Sequence, residues 1–210
     1  MKLLAFESSA KAASTALLSD GCLLAEYTQN SGQTHSRTLM EMAKNMLSGC
    51  DLTPQEIDAV AVAAGPGSFT GVRIGMACAK GFAWGRQLPL YGVSTLEAMT
   101  RGAAYADGIY CACMDARKQQ IYNAVFSLQA GKLTRLTDDR AIAIDALVPE
   151  LSEGAGPIYL LGDGAKLVQM QELYAVRGQG RIYRLRLGVQ SYSPAVEAAI
   201  RLTQEYQGRR

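Results

Sequence analysis

The chain has 210 residues, 49% of them hydrophobic and 19% charged, with a net charge of +2 at neutral pH. That is the composition of an ordinary soluble globular protein, long enough for one large domain or two small ones, with a charge content low enough to suit a partly apolar partner surface. It excludes a membrane-spanning helix, because no apolar run approaches the roughly 18 to 20 residues needed, and the small net charge by itself argues neither for nor against nucleic acid.

In chain order, residues 3–6 read as a short apolar strand, and 13–18 and 22–27 as two more, joined across Ser19-Asp20-Gly21. Asp-Gly is a strong signal for a two-residue hairpin because both turn positions need positive φ. Glu7 follows Lys2 by five residues and leaves no room for a signal-peptide core, so a cytoplasmic protein is expected. A helix is predicted over 36–47. Thr53-Pro54-Gln55-Glu56 then offers a cap, a proline suited to the first helical position and a glutamate that reaches back, before a buried strand at 59–64. After the glycine-rich stretch Gly65 to Gly75 come a helix to about Trp84, a strand at 89–93 and a helix capped by the Ser94-x-x-Glu97 box.

From Ile109 the order begins again. Strands are expected at 109–115 and 121–128, a turn at Ala130-Gly131 and a strand at 132–136; 141–186 is weakly patterned, and a closing helix starts at Ser193. No short-period sequence repeat is visible, so the duplication is structural. Two ribonuclease-H-like halves with mixed sheets fit this order: an α/β chain of the actin/Hsp70/sugar-kinase architecture, divided at 1–106 and 107–210.

The five cysteines form no C-x-x-C pair and read as reduced, mostly buried thiols, with Cys111 and Cys113 on one face of a strand. Residues 177–210 hold seven arginines against two glutamates, a net of +5, which leaves −3 for the preceding 176 residues. Such a segment suits phosphate, but a solvated helix face and a frayed tail account for it with fewer assumptions.

Few residues are placed for chemistry. Nucleotide-using members of this architecture begin the first hairpin with an aspartate and a glycine-rich turn. Here the segment reads Phe6-Glu7-Ser8-Ser9-Ala10, so Glu7, Ser8 and Ser9 are candidates for holding a cation or phosphate, yet no glycine lets backbone approach. A polar strand end that caps its own turn is the simpler reading. His35 is the only histidine, which rules out a two-histidine zinc site and leaves an exposed or capping role as the favoured one. Gly65-Pro66-Gly67-Ser68-Phe69-Thr70-Gly71-Val72-Arg73-Ile74-Gly75 fits neither the P-loop nor the dinucleotide glycine template. Instead Gly67, Gly71, Gly75, Ala79 and Ala83 recur every four residues and give the helix one small-residue face, open to close helix approach. The preceding helix carries Leu39, Met40, Met42, Ala43, Met46 and Leu47, more apolar positions than one core stripe requires. Packing of both helices on their own sheet is the competing explanation.

These motifs, with His35 to Met42 before them and Gly92-Val93-Ser94-Thr95-Leu96-Glu97-Ala98, Met114-Asp115-Ala116-Arg117-Lys118 and Gly162-Asp163-Gly164-Ala165 after, resemble the TsaB/YeaZ family. The resemblance implies the actin/Hsp70/sugar-kinase fold and a role in forming the threonylcarbamoyladenosine of tRNA. It implies a non-catalytic subunit without cofactor, which supports a TsaD-type transferase together with a TsaE-type ATPase and meets tRNA only through that complex. The transferase paralogue binds its metal through two histidines four apart; after Gly92 this chain has Ser94, Thr95 and Glu97. The resemblance further implies a partner-binding first half, whose surface is expected at Leu39, Met40, Ala43, Met46, Gly71, Gly75 and Ala79, used by a second copy of the chain when the transferase is absent. The alternative is an active enzyme of the same fold, a small-molecule kinase or a peptidase.

Overall fold

The computed structural model describes residues 1–152, 157–169 and 182–183. The expected helix from Ser193 and nearly all of the basic 177–210 segment lie outside the described residues. The chain divides into two compact units, with the break between Ala98 and Met99.

The first unit opens with β1 (Lys2–Glu7), β2 (Ala13–Ser19) and β3 (Cys22–Gln29), an antiparallel meander. Asp20 and Gly21 both take positive φ at the turn, as the Asp-Gly signal requires. Helix α1 (His35–Gly49) and a 3-10 turn (Pro54–Glu56) lead to β4 (Ala59–Gly65), and α2 (Phe69–Trp84) leads to β5 (Leu90–Ser94). The sheet order is β3-β2-β1-β4-β5, with β1, β4 and β5 parallel. One sheet face, through Leu4, Phe6, Leu17, Val60 and Val62, packs on Leu39, Met42, Ala43, Met46 and Leu47 of α1 and Ala79 and Ala83 of α2. Leu39 and Met46 are wholly buried, a gain of about 2 kcal/mol each.

Helix α3 (Thr95–Ala103) follows β5 and straddles the break between the units. The second unit contains β6 (Gly108–Arg117), β7 (Gln120–Gln129), β8 (Lys132–Arg135), β9 (Arg140–Ala143), α4 (Ile144–Ser152), β10 (Ile158–Leu161) and β11 (Ile182–Tyr183). Its sheet order is β11-β10-β6-β7-β8, with β9 also on β7. Here β6, β7 and β8 form an antiparallel meander, and β10 and β11 extend it in parallel beyond β6. That repeats the strand order and directions of the first unit, so the duplication expected from the sequence is present as topology. Each half is ribonuclease-H-like with a mixed sheet, and the architecture is that of actin, Hsp70 and sugar kinases.

Cys111 and Cys113 share one face of β6 with their sulfurs 3.4 Å apart. Their hydrogen bond, followed by burial, holds the Cys113 thiol well above the ordinary range, so it is no nucleophile. The expectation of mostly buried thiols needs correction: these two are buried, Cys50 and Cys78 only partly, and Cys22 is exposed on the edge strand β3. Asn123, fully buried on β7, ties the pair to the rest of the unit. Its Nδ2 donates to Cys111 Sγ (3.0 Å) and the Ala112 carbonyl (3.1 Å), and its Oδ1 accepts from Arg140, which also bonds Glu150 of α4 at 2.6 Å. Asn123→Leu should therefore cost about 2 kcal/mol, because it strips a partner from several buried groups at once. A urea midpoint unchanged from that of the unaltered chain would show the network to be idle.

Among the described residues no helix is long and apolar enough to cross a membrane.

Candidate functional site

Open sheets of this kind gather ligands at the carboxyl ends of their parallel strands. In the first unit that edge is built by Glu7 ending β1, the Ser8-Ser9 turn, Gly65 ending β4 with the loop to Ser68, Ser94 ending β5, and Thr95 opening α3. The register sets Phe6 opposite Val62 and Ala63 opposite Val93, which brings the three strand ends together.

The glycine-rich loop is closed on this turn. The Ser68 amide donates to the Ser9 carbonyl at 2.7 Å, the Gly71 amide to Ser68 Oγ at 3.3 Å, and the Val72 amide to the Ser68 carbonyl at 2.8 Å. Ser8 Oγ donates to the Gly71 carbonyl at 2.9 Å. A Cβ on Gly67 would lie 2.6 Å from the Ser9 carbonyl oxygen, one on Gly71 would collide with the Ser8 carbonyl, and one on Gly75 would lie 2.5 Å from Ser8 Oγ. The space a phosphate would take beside this helix start is filled by the chain's own turn, and these amides are already engaged.

Glu7, Ser8 and Ser9 are each at most 3% exposed. Glu7 Oε1 accepts from the Ser9 amide, and burial, only partly offset by the Ser9 contacts, pushes the Glu7 carboxyl up to about 7. Glu7 Oε2, Ser9 Oγ and Thr95 Oγ1 are the buried side-chain atoms without a hydrogen-bond partner among the described residues. Ser94 Oγ accepts from the Glu97 amide at 3.1 Å, so this position caps α3 as its sequence predicts. Among the described residues no group of three or more His, Cys, Asp or Glu is placed to hold a metal.

The expected partner surface needs correction. Leu39, Ala43, Met46 and Ala79 are at most 1% exposed, and Gly71 and Gly75 are also buried, so six of those seven residues face the protein's own interior. The small-residue face serves close approach, but what approaches is the Ser8-Ser9 turn and β4. Only Met40, at 39%, reaches the surface. The outward face of α2 was missed: Phe69 is 70% exposed under the Arg73 guanidinium, 3.8 Å from its ring centroid, and Trp84 is 86% exposed. The signal lay in Phe69, Arg73 and Ala77, spaced four apart on the face opposite the glycines. His35 does not cap α1, whose N-cap is Thr34; its Nε2 lies 2.9 Å from the Ala10 carbonyl oxygen.

In the second unit, the Met114 to Lys118 motif ends β6 and enters the β6–β7 turn, where Arg117, Lys118 and Gln119 all take positive φ. Asp115 Oδ1 accepts from the Arg117 amide at 2.7 Å, and Asp163 Oδ1 from the Asp115 amide at 3.1 Å. The two sequence motifs therefore meet at the carboxyl ends of β6 and β10.

Comparison with known proteins places these features in a group. A family model described as TsaD, tRNA N6-adenosine threonylcarbamoyltransferase, matches residues 23–174. A Bacillus subtilis protein named tRNA threonylcarbamoyladenosine biosynthesis protein TsaB is 33% identical over 167 residues, 80% of this chain and 73% of its own length. The Escherichia coli protein of the same name is 32% identical, over 78% of this chain and 72% of its own. A Pseudomonas aeruginosa crystal structure described as similar to peptidase YeaZ superposes with a TM-score of 0.80 at 26% identity, over 99% of this chain and 92% of that one.

Proposed function

The chain belongs to the TsaB/YeaZ family, and on that premise we propose that it is a non-catalytic subunit for forming threonylcarbamoyladenosine in tRNA. It supports a TsaD-type transferase, with a TsaE-type ATPase as the further partner, and reaches tRNA only through that assembly. The observation that carries the non-catalytic reading is the end of β5. After Gly92, where the resemblance implies a histidine pair in the transferase, Ser94 is spent on capping α3 and Thr95 is buried. The chain has a single histidine to offer, at position 35.

The partner surface we propose is the outward side of the two helices in the first unit: Met40 of α1 with Phe69, Arg73, Ala77 and Trp84 of α2. An exposed aromatic stacked with arginine and an exposed tryptophan are the residue types that anchor protein interfaces. Ala77 is exposed in the middle of α2, so Ala77→Arg adds bulk outward without touching the core. It should abolish co-purification with the transferase while the melting temperature stays within about 2 °C of the unaltered chain. Retained binding at the original affinity would remove α2 from the interface. The same variant, run alone on a sizing column, reports whether a self-associated form uses the same face.

A further inference from the structure

We propose that Glu7 is a positioning residue for α2, a buried carboxyl that holds the Ser8-Ser9 turn and, through it, the amino-terminal end of the helix. Its consequence for partner binding rests on the docking face proposed above; its consequence for the helix does not.

The connection runs through few contacts. Glu7 Oε1 accepts the Ser9 amide, the Ser9 carbonyl accepts the Ser68 amide at 2.7 Å, and Ser8 Oγ donates to the Gly71 carbonyl at 2.9 Å. Gly67, Gly71 and Gly75 lie so near Ser8 and Ser9 that no side-chain layer cushions the contact. A displaced turn must therefore move the helix start or break these bonds, because close-packed interiors do not deform continuously.

The second observation is the unmet bonding at this edge. Among the described residues Glu7 Oε2, Ser9 Oγ and Thr95 Oγ1 are buried with no well-formed hydrogen bond, although the Ser9 side chain stands close enough to act on the carboxyl. A neutral Glu7 tolerates that setting, whereas an ionised one holds a buried charge that the Ser9 amide and side chain only partly offset, a costly state that is relieved by opening the turn to water. Among the described residues the causes that act on the carboxyl are burial and the Ser9 contacts rather than a charge; β2 sets Ser14 opposite Glu7, and the α2 entry meets the turn through Ser68 and Gly71. Of the nearest titratable side chains along the chain, Lys2 pairs with Glu56 and Lys11 is exposed, while His35, further on, is engaged with the Ala10 carbonyl. Burial puts the carboxyl's titration at about 7, so the turn is held in slightly acid solution and released as pH rises through that value.

The test follows the chain alone by amide NMR between about pH 5.5 and 8.5, a window centred on that titration, in a His35→Asn background that leaves no imidazole in the sequence. The amides of Ser9, Ser68 and Gly71 should shift along one curve with its midpoint near 7, and the same amides should be flat in Glu7→Gln. The Glu7 carboxyl carbon, observed directly, gives the midpoint without any substitution there. Amides that do not move together, or that move equally in Glu7→Gln, would overturn the proposal whatever the partner does. In a second arm, affinity for the TsaD-type transferase is measured at both pH extremes. The ratio of Glu7→Gln to unaltered affinity should change by about fivefold, the lower end of ordinary site-to-site coupling. A constant ratio overturns the link to docking. Failure of both proteins to bind at either pH strikes the partner reading and leaves the NMR titration to decide on Glu7.

Discussion

Replacing Gly71 by valine should cost about 3 kcal/mol or more of stability. Gly71 sits where α2 crosses the end of β1, and the position of a Cβ there is already taken by the Ser8 carbonyl. Backbone on both sides leaves nothing flexible to yield, so the helix must rise off the sheet and uncover part of the core cluster that Ala79 and Ala83 share with Phe6 and Val62. The loss also breaks the Ser8 Oγ bond to the Gly71 carbonyl. Gly81, in the same helix, has nothing within 4 Å of a built Cβ, and Gly81→Ala should raise stability by about 0.5 to 1 kcal/mol through helix propensity alone. Urea unfolding of the two variants separates the readings: a Gly71→Val midpoint equal to that of the unaltered chain would mean the glycine face is not spent on the chain's own turn.

Stability should also fall as pH rises, because of Glu7. Its folded-state titration lies at about 7 against an ordinary value of 4.5. Between those values the folded chain keeps a proton that the unfolded chain gives up, so stability declines across that window. Below it both states are protonated and the group contributes no penalty; above it both are ionised and the penalty is complete, on the order of 3 kcal/mol. Glu7→Gln should remove this slope while keeping an acceptor for the Ser9 amide. Chemical denaturation at pH 5 and pH 8 reads the difference, and a variant with the same pH slope as the unaltered chain would place the titration elsewhere.

Local geometry and period were legible in the sequence, and destination was not. Asp20-Gly21 announces its hairpin because positive φ is a property of those two residues. The glycines of α2 announce that something comes close, but spacing is silent on whether the neighbour is another protein or the turn ten residues into the same chain. The answer depends on β1 and β4 pairing in parallel, a contact between residues more than fifty apart. The same holds for Glu7, a carboxylate beside two serines in sequence and a buried acid only once the sheet edge is assembled. The region of α4 and β10 reads in sequence as helical and strand segments without bounds, for a plainer reason: a nine-residue helix interrupted by Pro149 and a four-residue buried strand carry too little periodic pattern to be placed.

The central claim, a subunit that supports the chemistry without performing it, is tested most directly by reconstitution with tRNA and the threonylcarbamoyl donor. The chain alone, the TsaD-type transferase alone, and both together with the TsaE-type ATPase are each scored for threonylcarbamoyladenosine formed. Modification is predicted only where the transferase is present, raised by adding this chain and lost again with Ala77→Arg. Modification by the chain alone, or a transferase equally active without it, would contradict the account.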